Sequence, residues 1–356
     1  MHVFIRRFGC GSARAGRLAE GCEICMRGAK MVLLVTGRCG AGCFYCPLSA
    51  EKAGRDVIFA NEARVSSLEE IIPEAEAIGA EGTGITGGDP LLAMDRTLEA
   101  IGILRDRFGE GHHIHLYTAI LDPERAADLA AAGLDELRLH PPPGSWADPP
   151  ENAIGAVARA AGIPVGIEVP AIPGMAAELR SLAAAAQRAG AAFMNLNELE
   201  FSEGNWGAMA SRGFAPRSDE SAAALGSEEA ALEAMRSNRG MRMHFCSSPF
   251  KDGVQLRRRL TRRALRTSRE YEDVTRDGTI LRGEVYAADL AEARSALLSL
   301  GVPGALAREN PAKGCVETSP RALRRLAGRL PYECFVVEAY PTADGLEVEK
   351  TPLRGK

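Results

Sequence analysis

From residue 31 onward the chain repeats one pattern: a short apolar run, a turn, then an amphipathic stretch, several of which close on glycine. Continuous apolar runs suit parallel strands buried on both faces, and parallel neighbours need a crossover helix between them. The pattern predicts strands at Met31 to Thr36, Gly82 to Thr86, Ile114 to Thr118, Glu136 to His140, Pro164 to Val169, Phe193 to Leu199 and Met241 to Cys246. Helices are expected at Ser67 to Ala80 (Leu68, Ile71, Ile72 and Ala75 on one face), Leu92 to Phe108, Pro123 to Ala132, Glu151 to Ala161, Ala176 to Ala189 and Glu228 to Ser237. Gly133, Gly162 and Gly190 sit where left-handed caps would end helices. Six or more such units predict an α/β fold built as a partial or complete (βα) barrel, with its active site on the loops after the carboxyl ends of the strands.

The first of those loops reads Cys39-Gly-Ala-Gly-Cys43-Phe-Tyr-Cys46-Pro47. Three thiols on one short loop can hold three corners of a cubic iron–sulfur cluster and leave the fourth iron open to a small molecule. A structural zinc site would rather use four ligands in two close pairs.

Later strand ends carry further polar residues. The second gives Gly87-Gly88-Asp89-Pro90, where paired glycines permit close backbone approach and a carboxylate can accept from an ammonium group. The third ends at Thr118. On the fourth, Arg138 and His140 share one face, either at the barrel mouth or as a salt-bridge partner and a satisfied histidine. Glu168 lies inside an apolar strand and needs a cation or donor, with Arg138 a candidate. Asn195 and Asn197 share a face of the sixth strand, as a binding surface for adenine or substrate.

The cysteine spacing, with an aromatic residue before Cys46, resembles the signature of the radical S-adenosylmethionine (radical SAM) superfamily, and Gly87 to Pro90 resembles its Gly-Gly-Glu-Pro element with Asp89 in place of Glu. The resemblance spans about residues 31 to 248 and is nearest to archaeal-type proteins related to pyruvate formate-lyase activating enzyme. It implies a [4Fe-4S] cluster on Cys39, Cys43 and Cys46. It implies SAM contacts through Gly87, Gly88 and Asp89, with Thr118, Arg138, His140, Glu168, Asn195 and Asn197 around the cofactor. It also implies a reductant protein of ferredoxin or flavodoxin type. SAM bound at the open iron would be cleaved reductively, and the 5′-deoxyadenosyl radical would abstract a hydrogen from substrate.

Outside the superfamily pattern, Cys22 and Cys25 have the gap of a metal knuckle, Cys10 offers a further thiol, and Cys246 lies two residues from His244 near the end of the last strand. Together they describe a second metal centre, zinc or iron–sulfur, with His244 as a substitute ligand, or else thiols without a metal. Cys315 and Cys334 read as structural. Six of the nine cysteines precede residue 47, which suits metal ligation in a reducing compartment; with no signal-peptide pattern and no long apolar run, a cytoplasmic location is expected. The formal net charge of −4 gives no overall pull toward nucleic acid or membrane.

Three segments are expected: an extension over residues 1–30, the barrel over 31–248, and a basic helix with an α+β accessory domain over 249–356. The helix, residues 254 to 269, puts Arg257, Arg258, Arg259, Arg262, Arg263, Arg266 and Arg269 opposite Leu256, Leu260 and Ala264, a phosphate-binding face or a solvated one. That face favours RNA over protein as a macromolecular substrate. The alternatives are a glycyl-radical-enzyme activase and a non-catalytic, metal-dependent RNA-binding protein.

Overall fold

The computed structural model describes residues 3–353. Two compact units emerge, one of residues 3–76 with 80–256 and one of 77–79 with 257–353. Among the described residues no helix is long and apolar enough to cross a membrane.

The first unit opens with an antiparallel pair, Arg6–Arg7 and Ala13–Ala15, followed by helix α1 (Glu20–Met26). Strands β1 (Lys30–Leu34), β2 (Gly82–Thr86), β3 (His113–Thr118), β4 (Glu136–Leu139), β5 (Val165–Ala171), β6 (Phe193–Glu198) and β7 (Arg242–Cys246) then lie side by side in chain order, all parallel. The crossovers carry α2 (Ile71–Ile78), α3 (Met94–Phe108), α4 (Pro123–Ala131), α5 (Glu151–Ala161), α6 (Ala176–Arg188) and α7 (Ser227–Ser237). The sheet does not close. Ala13–Ala15 pairs antiparallel with β7 at one edge, and the hairpin Ile58–Ala60/Ala63–Val65 covers β1 at the other. The expected barrel is therefore partial, with both edges capped.

Strand alternation decides what the barrel encloses. Leu137, Leu139, Ile167, Val169, Met194, Leu196, Met243 and Phe245 are buried on the helix-covered face, where each full burial is worth roughly 1.5–3 kcal/mol. The intervening residues point inward and are polar. Register brings Tyr117 opposite Arg138, sets Glu168, Asn195 and His244 in one row, and puts Asn197 beside Cys246 in the next.

Helix α1 was not expected, since Cys22-Glu-Ile-Cys25 reads as a metal knuckle. It packs at the amino-terminal ends of β1, β2 and β3, and its three-residue gap places Cys22 and Cys25 on one helical face.

In the second unit, α8 (Arg257–Thr267) precedes an antiparallel sheet of β8 (Ile280–Tyr286), β9 (Ala307–Asn310), β10 (Cys315–Thr318), β11 (Glu333–Ala339) and β12 (Glu347–Pro352) in the order β9-β10-β8-β11-β12. Helices α9 (Leu290–Ser299) and α10 (Pro320–Leu326) cover it through Leu297, Val316 and Leu323. Cys315 and Cys334 are buried here.

Candidate functional site

The Cys39–Cys46 loop leaves β1 and is held by its neighbours. A side chain on Gly37 would lie 1.7 Å from the Lys52 carbonyl oxygen, and one on Gly88 would lie 2.1 Å from that of Arg38. Gly88 admits backbone contact between the cluster loop and the loop after β2, where the sequence suggested room for a ligand, and Gly37 admits contact between the start of the cluster loop and residues 52–55. Phe44 stacks on Phe214 at 5.7 Å under the Arg212 guanidinium. The Tyr45 hydroxyl donates to His140 Nε2 (2.9 Å), and the Asn205 amide donates to the Tyr45 carbonyl (3.0 Å). None of the three thiols is in a disulfide; Cys39 and Cys46 are exposed and Cys43 is half-buried. The donor set therefore fits a cluster with three protein ligands.

Two residues expected to touch SAM are used by the chain itself. Asp89 is 2% exposed and accepts from Leu91 N–H, the Thr118 hydroxyl and Ala119 N–H, so it ties β2 to β3. His140 donates from Nδ1 to the Glu168 carbonyl (2.7 Å) while accepting from Tyr45, which fixes its tautomer and leaves neither nitrogen for a ligand. Burial lowers its pKa.

Beneath the loop lies a cavity of about 340 Å³, lined among others by Tyr45, Lys30, Tyr117, Arg138, Glu168, Asn195, Asn197, His244 and Lys251. Cys22, Cys25 and Cys246 also line it, whereas Cys10 does not; it sits exposed in a turn with φ +59°. Gly87, Gly88, Asp89 and Thr118 likewise lie outside the lining.

Arg138 is the hub. It bonds Glu136 (2.5 Å) and Glu168 (2.6 Å), lies 3.2 Å from the Tyr117 hydroxyl, and reaches Cys22 Sγ at 3.6 Å. Asn195 and Asn197 each donate to Glu168 at 2.9 Å. Burial pushes the Glu168 carboxyl upward, but the Arg138 guanidinium and the two amides outweigh it and hold the group at about 2. Burial raises the Cys22 thiol to about 11 and Cys246 to about 12, and lowers His244 to about 4.

His113, His115 and Glu136 form the cavity's neighbouring polar layer. Their ligand atoms lie within 4.8 Å of one another, yet Glu136 is committed to Arg138 through both Nε and Nη2. Sequence reasoning missed Lys30, Tyr45 and Lys251. Tyr45 had a signal, since it sits between two cysteines of the loop; Lys251 had none, because its partner Glu200 (2.8 Å) is fifty-one residues away.

The depressed Glu168 pKa sets a pH dependence. Its contribution to stability is fully present above its ordinary value of 4.5 and is lost as pH falls through about 2. Urea unfolding of the apoprotein is expected to lose on the order of 3 kcal/mol across that window from this group. Glu168→Gln should remove that part of the pH slope, and an unchanged slope would contradict the assignment.

A radical SAM superfamily model matches residues 33–141, and a domain-of-unknown-function model, DUF8061, matches residues 278–353. A protein of Methanocaldococcus jannaschii provisionally named glycyl-radical enzyme activating enzyme is 38% identical over 95% of this chain and 93% of its own length. Among solved structures, Streptococcus suis SuiB bound to its precursor peptide SuiA is 13% identical with a TM-score of 0.37, over 48% of this chain and 39% of SuiB. The [FeFe]-hydrogenase maturase HydG is 14% identical with a TM-score of 0.36, over 67% of this chain and 65% of its own. A relative so similar along nearly the whole length, and a family model that begins in β1 and takes in the three-thiol loop, lead to one assignment: the chain belongs to the radical SAM superfamily.

Proposed function

We propose that this radical SAM enzyme is an activase that removes a hydrogen atom from a polypeptide, with a reductant protein of ferredoxin or flavodoxin type as its electron source and a second metal centre beside the SAM cluster. The observation that carries the polypeptide reading is the relative named as a glycyl-radical enzyme activating enzyme, alike over 95% of this chain.

RNA, the substrate favoured by the arginine-rich helix, loses its support. Arg262 donates to the Ile78 and Gly79 carbonyls, Arg263 to Pro341, and Arg269 pairs with Glu317 at 2.7 Å. Arg258, Arg259 and Arg266 are engaged as well. A face with most of its arginines already engaged offers few charges to phosphate.

Cys39, Cys43 and Cys46 would hold a [4Fe-4S] cluster, which with SAM would supply the radical chemistry needed to take hydrogen from carbon. The chain's own residues position and shelter. Tyr45, His140 and Asn205 hold the loop over the cavity, and Gly37 and Gly88 lock its base. Asn195, Asn197 and Glu168 give the cavity wall a fixed polar network of which every hydrogen bond is internal, so its geometry is set before a ligand arrives.

The test uses the anaerobically reconstituted, dithionite-reduced chain with SAM. 5′-Deoxyadenosine should form, and a glycine-radical EPR doublet should appear on a glycyl-radical polypeptide from the same genome. If deoxyadenosine formation is stimulated by RNA and no doublet arises, the activase reading fails.

A further inference from the structure

We infer that the barrel interior holds a polynuclear iron–sulfur cluster on Cys22, Cys25 and Cys246, with His244 as its fourth ligand. The inference rests on reading the chain as a cluster-binding radical SAM enzyme, and it concerns residues the SAM cluster does not use.

The four groups come from two elements that face each other across one cavity. Cys22 and Cys25 share a face of α1, and His244 and Cys246 share the inward face of β7. Cys10 is exposed and outside the lining, so the fourth position falls to the imidazole. His244 supplies an independent sign of a missing partner. It is 3% exposed, and neither Nδ1 nor Nε2 has a hydrogen-bond partner. An imidazole buried with both nitrogens unpaired costs free energy, and a metal ion relieves that cost by taking one of them.

Thiolates together with an imidazole are a ligand set that iron–sulfur clusters use, and the cavity of about 340 Å³ that the four residues line has room for a polynuclear group.

The surroundings suit thiolates and inorganic sulfide. Asn195 Nδ2 donates to Cys22 Sγ at 3.2 Å, Arg138 Nη2 approaches it at 3.6 Å, and Gln255 Nε2 reaches Cys246 Sγ at 3.5 Å. Donors to sulfur orient ligands and tune a cluster. Lys30, Arg138 and Lys251 in the lining offset the negative charge that deprotonated thiols and sulfide would bring. Gly21 makes the approach of α1 feasible, because any side chain there would lie 2.6 Å from both Arg138 and His115.

The experiment removes the first cluster and looks for the second. The full-length Cys39→Ala/Cys43→Ala/Cys46→Ala variant is reconstituted anaerobically with iron and sulfide, and both are counted per chain alongside Mössbauer and EPR spectra. Iron and sulfide should remain in comparable amounts, disappear on further Cys22→Ala/Cys25→Ala replacement, and show nitrogen hyperfine coupling that vanishes in His244→Ala. The wild-type chain should bind more iron than one four-iron cluster holds, a reading that does not depend on the variant folding. A wild-type iron content of one cluster, or stoichiometric zinc without sulfide in the triple variant, overturns the proposal. Persistence of the nitrogen coupling in His244→Ala overturns the fourth ligand. The Cys22→Ala/Cys25→Ala variant keeps the Cys39–Cys46 loop: absence of a cluster there counts against the proposed activity and leaves the interior centre to be judged by its own signal.

Discussion

Cys43→Ala is expected to reduce 5′-deoxyadenosine formation by about 10³-fold or more while leaving the apoprotein folded. The size follows from the division of labour: enzymes typically supply accelerations of 10⁶ or more, and on the proposed assignment a cofactor held by the three thiols would carry the hard chemistry. With two protein ligands left, the cluster is no longer held at three corners with one open. The fold should survive because the loop is fastened by other atoms. Phe44 on Phe214, the Tyr45 hydroxyl on His140 and Asn205 on the Tyr45 carbonyl all remain, and Cys43 is only half-buried. Urea unfolding of the apoprotein should change by no more than about 1 kcal/mol. Full SAM cleavage in the variant would remove Cys43 from the ligand set. A large loss of apoprotein stability would instead show that the thiol packs, and that the aromatic contacts do not hold the loop.

That separation between ligands and fastenings marks what could be read in the sequence. The spacing of Cys39, Cys43 and Cys46 is a covalent fact, and it was enough to point to the radical SAM superfamily, whose model matches residues 33–141. The strands were legible because each is a short apolar run with a helical segment and often a glycine on one side. Their ends moved by one or two residues, as at β1, which the hydrogen bonding places at Lys30–Leu34 where Met31 to Thr36 was expected.

What the pattern hid was long-range. Helix α1 has seven residues, a glycine and two cysteines, too short and too poor in apolar periodicity to read as a helix, and it forms because the barrel floor receives it. Asp89 looked free to meet an ammonium group because its acceptance from Thr118 and Ala119, thirty residues on, has no local signature. His140 is the same case, since the tyrosine that satisfies it lies ninety-five residues earlier. Glu168 went the other way. The cost of an unpaired carboxylate in an apolar strand is general, so physics required a cation, and the inward register made Arg138 the one in reach.

Arg138→Met should therefore destabilise the apoprotein by about 3–5 kcal/mol, the usual consequence of stripping the counter-charge from buried acids. Glu136 is 3% exposed and Glu168 12%, and both depend on this guanidinium. Methionine matches much of the aliphatic volume, and it keeps packing against Phe193, over whose ring the guanidinium lies at 5.6 Å. The loss is thus electrostatic rather than a cavity effect. Two further results follow from that cause. Adding Glu168→Gln to Arg138→Met should restore part of the lost stability, because a neutral amide in place of the stranded charge removes a penalty. In Arg138→Met alone, stability should rise as pH is lowered toward the carboxyl range, the reverse of the wild-type direction between pH 4.5 and about 2, because Glu168 loses the largest of the influences that oppose burial and keeps only its two amide donors and the more distant Lys30. If Arg138→Met were neutral and its pH slope unchanged, the barrel interior would have to be wet and weakly coupled, and the polar rows of β4, β5 and β6 would then be solvated side chains rather than a preset wall for the site.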